Sequence, residues 1–292
     1  MSDAFWIIGT GFLVAASCGV LGCFLLLKKI TMIGDAISHS VLPGIVIAVI
    51  LAGSMNSVWV FIGAGIAGFA TVLIIDFIRK KFKVQNDASL GLTFTFLFAL
   101  GVVLISFYAG DVHIDQECVL YGEITFLPLS ESLVVNGNIL GPRTFYNLLA
   151  NFTLIIIVIL AFFKEFKVSS FDPGFSSLIG VSPNTFQLIL LGLVSFTTVA
   201  SFEAVGSILV VAFLVSSPLA AYQISPTLKI MLSWTLLFGL FSSIFGYYLA
   251  ESINSSISAS MALVSGIIFA VIFITKGLIS HNWNPFWQKD VV

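Results

Sequence analysis

The sequence predicts an all-α fold: a polytopic transmembrane helical bundle of about eight to nine spans, forming one domain over residues 1–292. Three observations predict it. Hydrophobic residues make up 59% of the 292 and charged residues only 9%, where a soluble domain carries about 25% charged. Polar surface is too scarce to clothe a water-soluble fold of this length. Apolar runs of about 20 residues, the length that crosses a bilayer as a helix, recur nine times. The basic residues, finally, sit almost entirely in every second gap between those runs. The net charge of -2 therefore says little about partners, and the placement of the positives says more.

In chain order, spans are expected near 5–27, 33–52, 57–78, 89–109, 146–163, 184–201, 205–222, 230–250 and 257–275. The first is read as a retained span because MSDAFW carries Asp3 where a secretory leader would be basic. Lys28 and Lys29 follow the first span; Arg79, Lys80, Lys81 and Lys83 follow the third; Lys164 and Lys167 follow the fifth. Lys229 follows the seventh, Lys276 and Lys289 follow the ninth, and Arg143 stands alone on the other side. Cytoplasmic loops carry the excess of Lys and Arg. The pattern places the N-terminus outside and the C-terminus in the cytoplasm of a multi-pass membrane protein.

The run 184–222 contains one charged residue, Glu203, with Gly206 close by. It barely holds two spans. Two readings stay open: two short or broken helices joined near the outer face, or one long tilted helix with a re-entrant piece. Interrupted helices at membrane depth are tolerated where they line protein or a cavity. Glu203 is thus a candidate pathway residue, or an acid anchoring a helix break.

Two loops are long. The outer one, 110–143, opens with DVHIDQECVLYGEI. Its Asp111, His113, Asp115 and Glu117 alternate, and an extended strand would bring them to one face. That makes a candidate outer rim of ion-attracting groups, against the plainer reading of a solvated loop. The inner segment, 164–183, includes FKVSSFDPGFSSLIGVSP. It carries Phe171, Phe175, Leu178 and Ile179, and from Pro173 the apolar residues have helical spacing, with Pro173 and Gly180 as an early proline and a late glycine that bound a short helix. Such an amphipathic helix needs a surface for its apolar stripe, and a partner protein is favoured over lipid headgroups.

The centre of the chemistry is TMIGDAISHSVLPG, 31–44. Asp35 and His39 are spaced i, i+4, about 40° apart on one helix face. A charge in a bilayer segment costs about 2.5–3.5 kcal/mol on insertion scales, so such residues face a bundle interior or a polar path. A carboxylate and an imidazole suit a divalent cation such as manganese, iron or zinc. The competing reading is a satisfied interior pair in which the carboxylate fixes the imidazole tautomer. Two ligands cannot hold such an ion alone, and a transported ion must leave as readily as it enters. Protonation of His39 would remove its lone pair, so uptake is expected to fall under acidic conditions. The three cysteines, Cys18, Cys23 and Cys118, read as ordinary thiols. The P-loop, HExxH and GxSxG patterns do not occur. The chain is expected to be a transport subunit and no enzyme, with its energy supplied by another subunit and no nucleic-acid partner.

Three stretches together, GDAISHSVLPG (34–44), CVLYGEI (118–124) and FEAVGSILVVAFLVSSPLAA (202–221), resemble the membrane permeases of ATP-binding-cassette importers for manganese, zinc and iron, of the type II permease fold. The resemblance runs from about residue 10 to residue 276, and the second stretch is most similar to manganese- and iron-type members. It implies a dimer of two permease chains, identical or sister, with two copies of a cytoplasmic ATPase and an extracytoplasmic metal-binding protein. It implies ion contact for Asp35 and His39, with no permanently bound cofactor and the metal as cargo. It makes 171–180 the ATPase-coupling helix, retaining Asp172 and Gly180. The chain departs from the family pattern at Gly174, where a charged residue is usual, and after Pro218, where Leu219, Ala220, Ala221 and Tyr222 replace the usual small-residue run. A permease for a metal chelate or vitamin, a proton-coupled secondary carrier and an intramembrane metalloprotease are the alternatives. The first needs a wide cavity, the second would copurify with no ATPase, and the third lacks its HExxH.

Overall fold

The computed structural model describes residues 3–52, 57–108, 124–129, 132–135 and 138–279. Eleven α-helices are described: α1 Asp3–Leu27, α2 Ile33–Ser40, α3 Leu42–Ala52, α4 Ser57–Phe82, α5 Asn86–Tyr108, α6 Arg143–Ala161, α7 Phe163–Phe171, α8 Pro173–Leu178, α9 Pro183–Ile224, α10 Leu228–Ile253 and α11 Ile257–Ile279. Among the described residues nine segments are long and apolar enough to cross a membrane, with Pro183–Phe202 and Ala204–Ile224 counting separately. The expected all-α bundle is therefore what is observed. One addition lies in the outer loop: a 3₁₀ turn, Ile124–Leu129, and a two-stranded antiparallel hairpin, β1 Ser132–Val135 and β2 Asn138–Pro142, bulged between Leu133 and Val134.

α1 is the axis of the bundle, with every residue from Leu13 to Leu25 buried. Membrane helices gain nothing from hiding apolar surface from lipid and associate through close packing of small residues. That is how α1 is held. A Cβ on Gly22 would stand 2.2 Å from the Leu214 carbonyl oxygen of α9, and one on Gly19 would meet the Thr235 methyl of α10 at 2.5 Å. The Cys23 thiol lies 3.2 Å from the Thr235 hydroxyl. Along α10, Thr235 faces Gly19, Gly239 faces Ala15 and Ser243 faces Gly11, so α10 runs antiparallel to α1. Phe145 packs against Trp6 and Gly9, so α6 starts beside the N-terminal end of α1.

α9 settles the open question of 184–222. Its first turn sits at the C-terminal end of α1, where Phe186 packs on Phe166 and Phe166 on Phe24. A straight helix would continue along α1, yet Leu214 and Pro218 return to Gly22. The chain doubles back at Gly206, whose φ of 77° and ψ of 166° lie outside the helical region. Only glycine occupies that region at little cost. The run is two spans, and Glu203 lies by the bend.

Span ends differ from expectation by a few residues, as end-fraying allows. Two differences have named causes. The span expected over 33–52 is interrupted at Val41, because Pro43 cannot supply the N–H that would close on the His39 carbonyl. Residues 164–170, expected as part of the inner loop, belong to α7, with Phe166 fully buried.

Candidate functional site

α1 ends in a Schellman motif: the N–H of Ile30 bonds the Leu25 carbonyl at 3.0 Å, that of Lys29 bonds the Leu26 carbonyl at 3.0 Å, and Lys29 takes φ 58°. Ile30 and Leu25, brought together by that turn, are both buried. α2 starts three residues later. Its Ile33, Gly34, Ala36, Ile37, Ser38 and Ser40 are buried. Ser40 accepts a 2.8 Å hydrogen bond from Thr71 of α4, and Gly34 lies under the Leu214 side chain of α9. These two contacts fix which side of this short helix looks out.

That side carries Asp35 and His39. His39 Nε2 lies 3.7 Å from Asp35 Oδ1, and the side chains keep 37% and 47% of their exposure respectively. The separation exceeds a hydrogen bond. Two ligand atoms each about 2.1 Å from a metal at the tetrahedral angle stand about 3.4 Å apart. The observed spacing is about 0.3 Å wider than that bite. The Phe94 and Phe98 rings of α5 flank the imidazole, each with its centroid 6.0 Å away. Among the described residues, Asp, Glu, His and Cys form no group of three or more with metal-binding spacing. Any remaining ligands for an ion would have to come from water, backbone, another chain or residues outside those described.

A cavity of about 680 Å³ opens beside the pair's helix, running from Ser40 and Gly44 past Gly63 to Leu51 and Trp59. Its walls are almost wholly apolar, so it offers a bare cation no ligands. Asp76, at the basic end of α4, is satisfied by Arg79 at 2.6 Å and Lys80 at 2.7 Å, as a structural acid would be.

The expected coupling segment is built from two caps. Asp172 accepts the N–H of Phe175 at 2.9 Å and so caps α8, with Pro173 in its first turn. Gly180, at φ 81°, closes the helix in a second Schellman motif, Val181 N–H to Ser176 carbonyl at 3.0 Å. The helix is six residues, Pro173–Leu178, within the expected 171–180. Phe171, Phe175, Leu178 and Ile179 are 57%, 52%, 86% and 50% exposed, an apolar stripe turned off the bundle. Joined to it is a contact that sequence reasoning missed: Lys28 Nζ donates a 3.0 Å hydrogen bond to the Ser169 carbonyl of α7. Burial lowers the Lys28 ammonium to about 8. The pair is 141 residues apart, and no local pattern signals it.

Of the other candidates, His113, Asp115 and Glu117, and with them Cys118, lie outside the described residues. Glu203 is described only by its backbone place in α9. Cys18 and Cys23 are buried free thiols.

Comparison with known proteins adds the following. A family model described as the ABC 3 transport family matches residues 1–276. The manganese transport system membrane protein MntD of Bacillus subtilis is 42% identical over 274 residues, covering 94% of this chain and 92% of that one. The zinc transport system membrane protein TroD of Treponema pallidum is 37% identical, covering 89% and 71%. Among solved structures, PsaBC from Streptococcus pneumoniae in complex with Fab superposes with a TM-score of 0.76 at 27% identity, over 94% of this chain and 91% of that one.

Proposed function

The chain belongs to the ABC 3 transport family, and from that membership we propose that it is the permease subunit of an ATP-driven importer moving a divalent transition-metal ion across the bacterial cytoplasmic membrane. Manganese and zinc lead, since the named relatives transport them; iron(II) follows on ligand chemistry alone. The observation that carries the reading is the Asp35–His39 pair: an oxygen and a nitrogen ligand 3.7 Å apart, half-exposed at membrane depth, on a helix whose other faces are packed.

The pair supplies half a coordination shell. A second permease chain, the same or a sister, facing it across a dimer axis would bring a second aspartate and histidine. Four such ligands suit a first-row divalent ion. The basic end of the bundle faces the cytoplasm by the positive-inside rule, which leaves the N-terminus outside. The exposed stripe on α8 then lies on the cytoplasmic side, where a separate ATPase would seat it. An extracytoplasmic binding protein would deliver the ion to the opposite mouth, and Glu203, His113, Asp115 and Glu117 remain candidates along that approach.

Radiometal uptake into vesicles holding the chain with its ATPase and binding protein tests this, with manganese, zinc and iron(II) run in parallel. ATP-dependent entry of one metal, abolished by His39→Ala while the complex still assembles, is the expected result. Uptake unchanged by His39→Ala would make the pair structural. Metal entry that proceeds without ATP would make the chain a secondary carrier.

A further inference from the structure

The Ser169 carbonyl is an orphan by covalent structure. The N–H that would close on it in a continuing helix belongs to residue 173, which is proline. The last carbonyls of a helix attract cations, and the donor here is Lys28, from the far end of the bundle's central helix. A second contact runs alongside: the Phe24 and Phe166 rings lie 5.6 Å apart. α7 is thus fixed to the end of α1, and α8, with its exposed stripe, follows α7 after Asp172 alone.

On the other side of Lys28 the chain has little slack. The Schellman motif holds residues 25–30, the Ile33 N–H bonds the Ile30 carbonyl at 3.2 Å, and the Ala36 N–H bonds the Met32 carbonyl at 3.1 Å. Only four residues, 29–32, separate Lys28 from α2, and the N–H groups of Lys29, Ile30 and Ile33 at its two ends are hydrogen-bonded. A displacement of the Ser169 carbonyl reaches α2 through this short connection, which is tied at both ends.

Resting on the import reading above, we propose that Lys28 is a positioning residue that ties movement of the α7–α8 segment to the Asp35–His39 pair. It touches neither ion nor nucleotide; it links the element that meets the ATPase with the helix that meets the ion. Loss of the link separates ATP hydrolysis from ion movement.

The test uses the permease with its ATPase and binding protein in lipid vesicles, with Mn²⁺ and Zn²⁺ as probes, and reads ions moved per ATP hydrolysed. Lys28→Met keeps the stem and removes the donor; Lys28→Arg keeps a charged donor. The expected result is a roughly tenfold fall in the ratio for Lys28→Met at undiminished assembly and hydrolysis, with Lys28→Arg within threefold of the parent. A Lys28→Met ratio equal to the parent's overturns the inference, whether or not less complex is made, because the residue is then structural. If Lys28→Met yields no complex, Lys28→Gln is read in the same way, and failure of both to assemble likewise marks a folding role. A parent complex that moves neither ion overturns the import reading itself, and this inference with it.

Discussion

Replacing Gly22 by alanine probes the tightest helix approach at any described glycine. The new Cβ would stand 2.2 Å from the Leu214 carbonyl oxygen, 3.0 Å from its carbonyl carbon and 2.8 Å from Pro218 Cγ. A comfortable carbon–oxygen contact is about 3.4 Å, so α1 and α9 must part locally by about 1.2 Å. The oxygen belongs to helix backbone and cannot turn aside. A gap of about 0.5–1 Å already forfeits a quarter to a half of each dispersion contact along the seam. Overpacking costs about 1–3 kcal/mol, and a clash with backbone belongs in the upper half of that range. At about 2–4 °C per kcal/mol for domains of somewhat smaller size, the expected fall in melting temperature is about 5–10 °C. Leu214 also lies on Gly34, next to Asp35, so metal uptake should fall as well. The assay is thermal unfolding of the purified chain with uptake measured in parallel, and Gly65→Ala serves as control because no atom lies within 4 Å of its added Cβ. There alanine's better helix propensity, about 1 kcal/mol, should hold or raise the melting temperature. If Gly22→Ala melts with the parent, the α1–α9 seam is not where the close approach lies and the packing argument fails.

Gly206→Ala places a side chain in a backbone region that costs about 1–3 kcal/mol for any other residue, so the variant should melt lower and assemble poorly in a thermal and size-exclusion assay. For Lys28 the sign follows from burial: its folded value of about 8 lies below the ordinary 10.5. The unfolded chain therefore holds that proton to higher pH, and stability rises with pH between about 8 and 10.5, with the full penalty present below 8. Melting curves at pH 7.5 and 9.5 should show a rise for the parent that is smaller in Lys28→Met; an equal rise in both would assign it to other groups.

The span pattern was readable because bilayer crossing imposes a length and a composition on each helix. The Asp35–His39 pair was readable because i, i+4 spacing needs only a local helix. Their exposure was not, since it depends on which faces Thr71 and Leu214 cover. The break at Val41 passed unnoticed because hydropathy reports partition into lipid and is insensitive to a single missing N–H. The corner at Lys29 was hidden for a similar reason: a left-handed residue is usually signalled by glycine, and here lysine fills it. α7 mixes Lys164, Glu165 and Lys167 with Phe163 and Phe166, a composition that reads as loop until Phe24 and Phe186 are seen to enclose Phe166.

The bend at Gly206 also decides parity. As one straight helix, the 42 residues of α9 would reach about 63 Å, roughly twice the hydrocarbon thickness of a bilayer. Folded at one glycine they count as two crossings, and the described residues then hold nine. An odd total would put the two ends of the chain on opposite sides of the membrane, as the import reading has them. An even total would invert α10 and α11 and carry Lys229 and Lys276 to the side that every other inner lysine avoids. Under that reading, one residue without a side chain would set the orientation of insertion of α10 and α11.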